Sequence, residues 1–470
     1  MQGVRQPPIA SSPVERLKSI LDERPLYLSI ETTNICNARC VFCAYPKMRR
    51  KKRTMSADLF EKIVRDYDDM GGGAIGLTPI VGDVLLDGQL VDRLRLLRRS
   101  PSITHVCFTT NGIAWDRWSD EDREFLLENV SAINVSLGGL DAASYRAMFA
   151  VDRFARVRTA ILDICERKKS GGLSVEIHLL FRVSQPIDEL LADPRTDEFR
   201  REEINSISGL NRFANWGGLI RPEELPDGAR LIQVETSPDR VRSHKKNPCF
   251  VYYLTPEITC DGMVSACGCM NAEAEELILG DVNTDHLADI WRGDARRRLM
   301  NAFGTDALSP ICRQCSYYED GEKFIRQAQL ARFEIGDQPW NLLRPNSSTA
   351  TERRVIDEVR RLTAHGFRRI ALYGAGQSAR SALAVPENSR GSNSRADGSS
   401  FDPIVALIDD DPALTGQTVR GIPVLSIRQA LANRIDAIVL SSDWHATQMW
   451  ENARPLREAG IPVLRIDSPQ

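Results

Sequence analysis

From Tyr27 onward, short runs of apolar residues alternate with longer stretches in which apolar side chains return every third or fourth position. Runs of the first kind read as strands and stretches of the second kind as amphipathic helices. Strands are predicted at Tyr27–Ile30, Ala74–Leu77, His105–Thr109, Ala132–Ser136, Ser174–Phe181 and Ile204–Leu210. Helices are predicted between them at Ala57–Met70, Gln89–Arg98, Glu121–Glu128, Ala142–Phe149 and Phe154–Lys168. A further helix opens at Ser12-Pro13-Val14-Glu15, an N-cap followed by proline and an acid, and runs to Glu23. Regular alternation of strand and helix is the mark of an α/β fold with a parallel sheet. Six such units suit a partial (β/α)6 barrel of the TIM type, expected over 1–220.

The pattern changes near Arg221, where a cysteine-rich region of weaker periodicity runs to Leu342. Residues 343–351 are polar and read as a linker. Strand and helix patterns resume over 352–470, interrupted by Glu387–Ser400, whose Ser, Asn, Gly and Arg content reads as a disordered surface loop. Three domains agree with a length of 470 residues, since single cores rarely exceed roughly 250–300 residues.

With 42% hydrophobic residues and a net charge of −3, the composition gives no electrostatic case for nucleic acid or for an anionic membrane. No apolar run is long enough for a membrane-spanning helix. The polar, proline-rich start argues against a secretory signal. Eleven cysteines without an export signal point to a reducing, cytoplasmic setting and to metal ligation.

Three of those cysteines stand as Cys36-Asn-Ala-Arg-Cys40-Val-Phe-Cys43, where the first strand should turn into a helix. A closed zinc site takes four ligands, and iron–sulfur clusters are usually held by four thiolates. Three thiolates suit a [4Fe-4S] cube with one iron left open. The spacing resembles the signature of the radical S-adenosylmethionine (radical SAM) superfamily. The resemblance implies that the open iron takes the amino and carboxylate groups of SAM, which is cleaved to a 5′-deoxyadenosyl radical. It also implies the partial barrel and a reducing partner such as a flavodoxin or ferredoxin.

Functional groups of barrel-like α/β layers gather at the carboxyl ends of the strands. After the second strand, Val81-Gly82-Asp83 resembles the family's Gly-Gly-Glu segment with two substitutions. Thr109-Thr110-Asn111-Gly112 matches its T-N-G turn, and Ser136 closes the fourth strand where the family places a serine near SAM. Phe42 occupies the aromatic position beside the adenine. These implied cofactor residues are joined by Arg182. On strand five, Glu176, His178 and Arg182 share one face by parity. With Arg212 after strand six, Glu176 and His178 are the candidates for taking a proton from substrate.

The element C-x12-G-x4-C (Cys249, Gly262, Cys267) and the later Cys312-Arg-Gln-Cys315 resemble a twitch domain, the shorter relative of the SPASM domain. The resemblance implies a second [4Fe-4S] cluster on Cys249, Cys267, Cys312 and Cys315; a zinc site from the same thiolates is the alternative. Asp261-Gly262 is a hairpin signal that returns the chain towards Cys249. Cys260 and Cys269 remain as spare ligands or hydrogen-atom donors, while Cys107 and Cys165 read as buried apolar cysteines.

In the last domain, Gly374-Ala-Gly376-Gln-Ser-Ala379 follows an apolar strand, and Asp409-Asp410-Asp411 closes the next. Glycines there let a backbone approach a phosphate at a helix N-terminus, and Asp409 offers a ribose acceptor. The run resembles small Rossmann-like modules beside nucleotide-sugar enzymes, which implies a nucleotide or nucleotide-sugar ligand. A docking module with an empty phosphate site is the alternative.

Together these features predict a radical SAM oxidoreductase acting on a small molecule: a sugar, an aminocyclitol or a nucleotide-linked sugar. A fully ligated second cluster would accept the electron that leaves the substrate. The alternatives are an epimerase with a cysteine donor (Cys260 or Cys269), a peptide maturase, or a non-catalytic zinc scaffold. Maturases commonly carry an extra N-terminal domain, whereas the first strand here is predicted at Tyr27.

Overall fold

The computed structural model describes residues 13–234, 237–268, 271–273, 275–330, 348–375, 379, 383, 403–411, 414–419, 421–441 and 446–466. Ser12, Cys269, Gly376 and the predicted loop Glu387–Ser400 lie outside the described residues. The chain forms two compact units, residues 1–185 with 209–344 and residues 186–208 with 345–470.

In the first unit the parallel strands β1 (Tyr27–Ile30), β2 (Gly73–Gly76), β3 (Ile103–Thr110), β4 (Ala132–Leu137) and β5 (Glu176–Arg182) lie side by side in chain order. β6 (Ser206–Leu210), which straddles the division between units, ends the sheet; the Val183 amide donates to the Leu210 carbonyl at 3.1 Å. Helices α1 (Pro13–Glu23), α2 (Ala57–Asp69), α3 (Leu90–Leu97), α4 (Asp120–Asn129), α5 (Ala142–Phe149) and α6 (Phe154–Gly171) separate the strands as the periodicity predicts. β5 begins at Glu176 rather than Ser174 because α6 continues to Gly171 and stops at Gly172, whose φ of +58° needs no Cβ. β6 likewise starts at Ser206, two residues later than expected. Past β6, β7 (Arg212–Phe213) and β8 (Arg230–Leu231) form a separate two-stranded ribbon.

The cysteine-rich region does not build a sheet of its own. Its strands β9 (Glu257–Ile258), β10 (Met263–Ser265) and β11 (Ile278–Asp281) extend the barrel sheet on the far side of β1, in the order β11-β10-β9-β1. β9 runs parallel to β1, with Ser29 opposite Glu257. The expected hairpin is present: β9 and β10 are antiparallel, and Gly262 turns between them at φ +95°.

Strand parity then decides which side chains enter the barrel. Leu28, Ile30, Ile75, Phe108, Ile133, Val135, Ile177, Leu179 and Phe181 are buried on the helix side. Residues of opposite parity face the lumen, and the registers stack them in layers. One layer is Glu257, Ser29, Gly76, Cys107, Ala132 and Glu176. The next, towards the carboxyl ends, holds Thr109, Asn134 and His178. Above it stand Ser136, in register with Leu180, and then Arg182.

The second unit holds a six-stranded sheet in the order β14-β15-β13-β12-β16-β17: β12 (Ile370–Tyr373), β13 (Ile404–Ile408), β14 (Thr418–Val419), β15 (Ile422–Leu425), β16 (Ala437–Leu440) and β17 (Val463–Leu464). Its pairs are parallel except β14–β15. Apolar clusters cover both faces, which is why these strands read as continuous hydrophobic runs. The helix Ser348–Ala364 begins inside the stretch expected as a linker. Residues 186–208 contribute the short helix Ile187–Ala192, with Thr196 Oγ1 donating to the Leu190 carbonyl. Among the described residues, no helix is long and apolar enough to cross a membrane.

Candidate functional site

The loop after β1 carries Cys36, Cys40 and Cys43, all partly buried and free of disulfides. Its shape is fixed by hydrogen bonds that aim at sulfur. The Ala38 amide donates to Cys36 Sγ at 3.5 Å, the Tyr45 amide to Cys43 Sγ at 3.4 Å and the Asn111 side chain to Cys36 Sγ at 3.6 Å. Apolar residues Ala44, Tyr45, Ile80, Val81 and Ala272 pack round it. Burial, then the Asp83 carboxylate, pushes the Cys36 thiol up to about 12; burial pushes Cys43 up to about 11. Cys40 is raised too, by burial and then by Cys43 and Cys36. The three thiols therefore lie within electrostatic reach of one another and favour their neutral form until positive charge arrives. Such a donor set fits an iron cluster whose binding expels the thiol protons. Among the described residues, no group of three or more His, Cys, Asp or Glu is gathered closely enough to hold a single metal ion.

Gly82 and Asp83 brace this loop from behind. Gly82 has φ +146°, and a Cβ there would stand 2.7 Å from the Thr33 carbonyl oxygen. Only glycine lets the chain run so close to the residues preceding Cys36. The Asp83 amide donates to the Ile35 carbonyl at 2.9 Å. Its buried carboxylate accepts from Thr110 Oγ1 at 2.9 Å, the Asn111 amide at 2.7 Å and the Leu85 amide at 3.1 Å. Asp83 thus ties the T-N-G turn to the cysteine loop, and Asn111 completes the tie through Asn37 Oδ1 at 2.9 Å.

Burial holds Asp83 up at about 6 despite these donors. Since the folded value lies above the unfolded one, its contribution is present below about pH 4 and is lost as pH rises through about 6. A shift of that size amounts to about 3 kcal/mol. Urea titrations of metal-free protein should show wild type losing about that much relative to Asp83→Asn between pH 4 and 7. Parallel stability curves would contradict the burial argument.

Phe42 stacks on Phe213 at 4.8 Å and 15° and meets Phe149 edge-on at 5.6 Å. Its carbonyl accepts from Trp216 Nε1 at 3.0 Å, an indole carried by a turn in which Trp216 has φ +50°. Lys47 then clamps this turn region by donating to the Leu219 carbonyl and the Glu224 carboxylate.

The lumen brings Glu176 and His178 together, with His178 Nε2 3.2 Å from Glu176 Oε2. Ser136 lies on the same face and is partly buried. Arg182, at the carboxyl end of β5, has its charge disfavoured by burial and favoured by Tyr317 and Cys40. It therefore lies within electrostatic reach of both the first cysteine loop and the segment that follows Cys315. Arg212 corrects the expectation from strand parity. β6 stops at Leu210, the chain turns at Asn211, and Arg212 emerges exposed on the β7–β8 ribbon while Phe213 takes the buried side.

Three lumen residues had no signal in the sequence. Tyr27 reaches over Gly76, where a Cβ would lie 1.7 Å from its hydroxyl, and that hydroxyl sits 3.5 Å from Cys107 Sγ. Cys107 is accordingly a partly buried lumen thiol bonded to a phenol, not an inert core cysteine. Glu257 is buried in the same layer. A Cβ at Gly268 would stand 2.6 Å from its carboxylate, so the chain beside Cys267 passes directly over the lumen wall.

Cys260 lies elsewhere. It is buried on the β9–β10 turn against Glu31, whose carboxylate takes Arg50 Nη1 and Nη2 at 2.7 and 2.8 Å. Burial and then Glu31 push its thiol up to about 12.

The four auxiliary thiols converge on two side chains. Tyr252, whose hydroxyl is 3.4 Å from Cys312 Sγ, is held neutral by burial and by Cys312, Cys267 and Cys249. Lys245 is lowered by burial and opposed by Cys315, Cys312 and Cys249. Its ammonium donates to the Cys312, Arg313 and Cys315 carbonyls at 2.7, 3.1 and 2.7 Å, which fixes the C-x2-C turn. Cys312 is raised to about 11, chiefly by burial.

In the second unit, Gly374 turns at φ +103°, and a Cβ there would meet Met449 at 2.9 Å. Asp409 does not face outward. Its Oδ2 accepts from the Ala375 amide at 2.7 Å and its Oδ1 from the Asp411 amide at 2.9 Å. The loop amide that the sequence offers to a phosphate is thus already satisfied by the acid that was to bind ribose.

Comparison with known proteins agrees with this layout. Residues 30–190 match the radical SAM superfamily and residues 249–316 match the SPASM iron–sulfur cluster-binding domain, so the chain carries both domains. Curated relatives include GTP 3′,8-cyclases. That of Klebsiella pneumoniae subsp. pneumoniae is 29% identical over 227 residues, 45% of this chain and 66% of the relative. That of Cronobacter sakazakii is 30% identical over 139 residues, 29% of this chain and 41% of the relative. The chain thus spans between about two fifths and two thirds of these relatives. Among solved structures, BtrN in complex with AdoMet and 2-DOIA aligns at TM-score 0.41 and 14% identity, covering 64% of this chain and 96% of BtrN. SuiB of Streptococcus suis bound to its precursor peptide aligns at TM-score 0.46 and 14% identity, covering 70% and 81%.

Proposed function

We propose that this chain is a radical SAM dehydrogenase of a small polyol or amine, a sugar or aminocyclitol, whose substrate sits in the barrel lumen between two cysteine loops. The observation that carries this reading is that both loops border one lumen. Arg182 is influenced by Cys40 of the first loop and by Tyr317 beside the second, and Gly268 next to Cys267 lies against Glu257 of the lumen wall. When bound, SAM and the two clusters would supply a 5′-deoxyadenosyl radical and an electron acceptor. The chain's own groups do the rest. His178, oriented by Glu176, takes the proton of a substrate hydroxyl or ammonium. Arg182 holds a substrate oxygen near the cysteine end. Lys245 and Tyr252 fix the auxiliary thiols that would hold the electron-accepting cluster. The substrate then loses one hydrogen atom, one proton and one electron, and leaves as a ketone or imine.

The names of the curated relatives raise cyclisation of a nucleotide as a second reading. Two lumen carboxylates, Glu176 and Glu257, are poor company for a triphosphate. Anaerobic incubation with SAM, a reductant and carbon-deuterated aminocyclitols, sugars or GTP separates the readings. The dehydrogenase reading expects deuterium in 5′-deoxyadenosine and a product lighter by two hydrogens. Label transfer from GTP alone, or an isomeric product, would overturn it.

A further inference from the structure

Tyr145 has no role in the chemistry above, yet it occupies an uncommon position. Helix α5 starts at a capping box between Asp141 and Ser144, and its buried face is Tyr145, Met148 and Phe149. The last turn of that face holds the cysteine loop directly. The Arg39 amide donates to the Phe149 carbonyl at 3.1 Å and the Val41 amide to the Met148 carbonyl at 3.0 Å, one on each side of Cys40. Tyr145 lies one turn earlier on the same stripe, its ring stacked on Phe149 at 4.7 Å and 20°. Close approach is permitted by Gly138, where a Cβ would stand 3.1 Å from the Tyr145 Cα and 2.7 Å from the Phe149 ring.

The phenol is wholly buried, and its hydroxyl has no hydrogen-bond partner among the described residues. A buried hydroxyl left unmatched is costly, and native structures give such a group a partner or a purpose. Besides burial, the groups acting on it are Cys40, the largest, then Asp83 and Cys36, opposed by the Arg153 cation. Asp83 already accepts from Thr110, Asn111 and Leu85.

We propose that Tyr145 donates its hydroxyl hydrogen to a sulfur of the cluster held by Cys36, Cys40 and Cys43, and thereby sets the potential at which that cluster takes up an electron. This rests on the reading of those three thiols as cluster ligands. A hydrogen bond to sulfur stabilises the more negative, reduced cluster, so the donor makes reduction easier. Tyr145 is then a positioning and tuning residue, not one that touches substrate.

The test is redox titration of the reconstituted full-length protein without SAM, followed by electron paramagnetic resonance, for wild type and Tyr145→Phe. The phenylalanine variant should keep its iron and sulfide but show a tenfold lower ratio of reduced to oxidised cluster at fixed potential, a downward shift of about 59 mV for one electron. Equal potentials at equal iron content would overturn the proposal and leave a buried water as the partner. Should Tyr145→Phe fail to assemble the cluster, 3-fluorotyrosine at position 145 keeps the ring and strengthens the donor. It should raise the potential, and an unchanged value overturns the proposal. A wild-type protein that binds no cluster on Cys36, Cys40 and Cys43 defeats the reading beneath the proposal, and the proposal with it.

Discussion

Cys40→Ser should lower reductive cleavage of SAM by roughly four orders of magnitude, the scale on which one member of an obligate set is lost. The expectation follows from the loop itself. Cys36, Cys40 and Cys43 are the three thiols it offers, and each is already shaped for iron by burial and by N–H donors on Cys36 and Cys43. A hydroxyl at position 40 is a harder and weaker ligand, and its neighbours would hold an incomplete site. The readout is 5′-deoxyadenosine formed per chain under anaerobic reduction. The second site serves as the internal control, since the four auxiliary thiols should still bind iron. Iron should fall from about eight atoms per chain towards about four. Cleavage at the wild-type rate would contradict the assignment.

Cys315→Ala should have the opposite signature. It removes one of four thiols from the turn that Lys245 secures through the Cys312 and Cys315 carbonyls. SAM cleavage should persist, because the change leaves the β1 loop, Asp83 and Asn111 untouched. Dehydrogenated product should fall by about a thousandfold, since electron removal and hydrogen abstraction act as one unit. The measurement is the ratio of 5′-deoxyadenosine to product, followed by mass spectrometry of the substrate pool. If both quantities fell together, the auxiliary site would serve folding or substrate binding and not electron transfer.

How far the sequence exposed this arrangement depends on the range of each interaction. The C-x3-C-x2-C loop and the shared face of Glu176 and His178 are local patterns, two to seven residues apart, and each strand or helix from β1 to β5 is likewise set by its own short periodicity. Asp83 and Asn111 were visible through the segments that resemble the family's motifs, but their mutual bracing joins two loops far apart in the chain. Glu257 was not legible, because its place in the lumen depends on β9 pairing beside β1 across more than two hundred residues of chain. Arg212 misled because parity was carried past Leu210, where the strand had ended. Tyr145 sits in a helix pattern that reads as plain core, and only its unmatched hydroxyl sets it apart. Asp409, read for its ligand, also accepts from the Ala375 amide of its neighbouring loop, a contact that the pattern does not disclose.

The proposed chemistry requires that the site made by Cys36, Cys40 and Cys43 keep an iron that can take SAM. The most direct measurement is electron–nuclear double resonance on the reduced, reconstituted protein with SAM labelled by ¹⁵N at its amino group and ¹⁷O at its carboxylate. Couplings to both nuclei, absent in Cys40→Ser, are the predicted result. A reduced cluster whose spectrum is indifferent to the labelled SAM would contradict it.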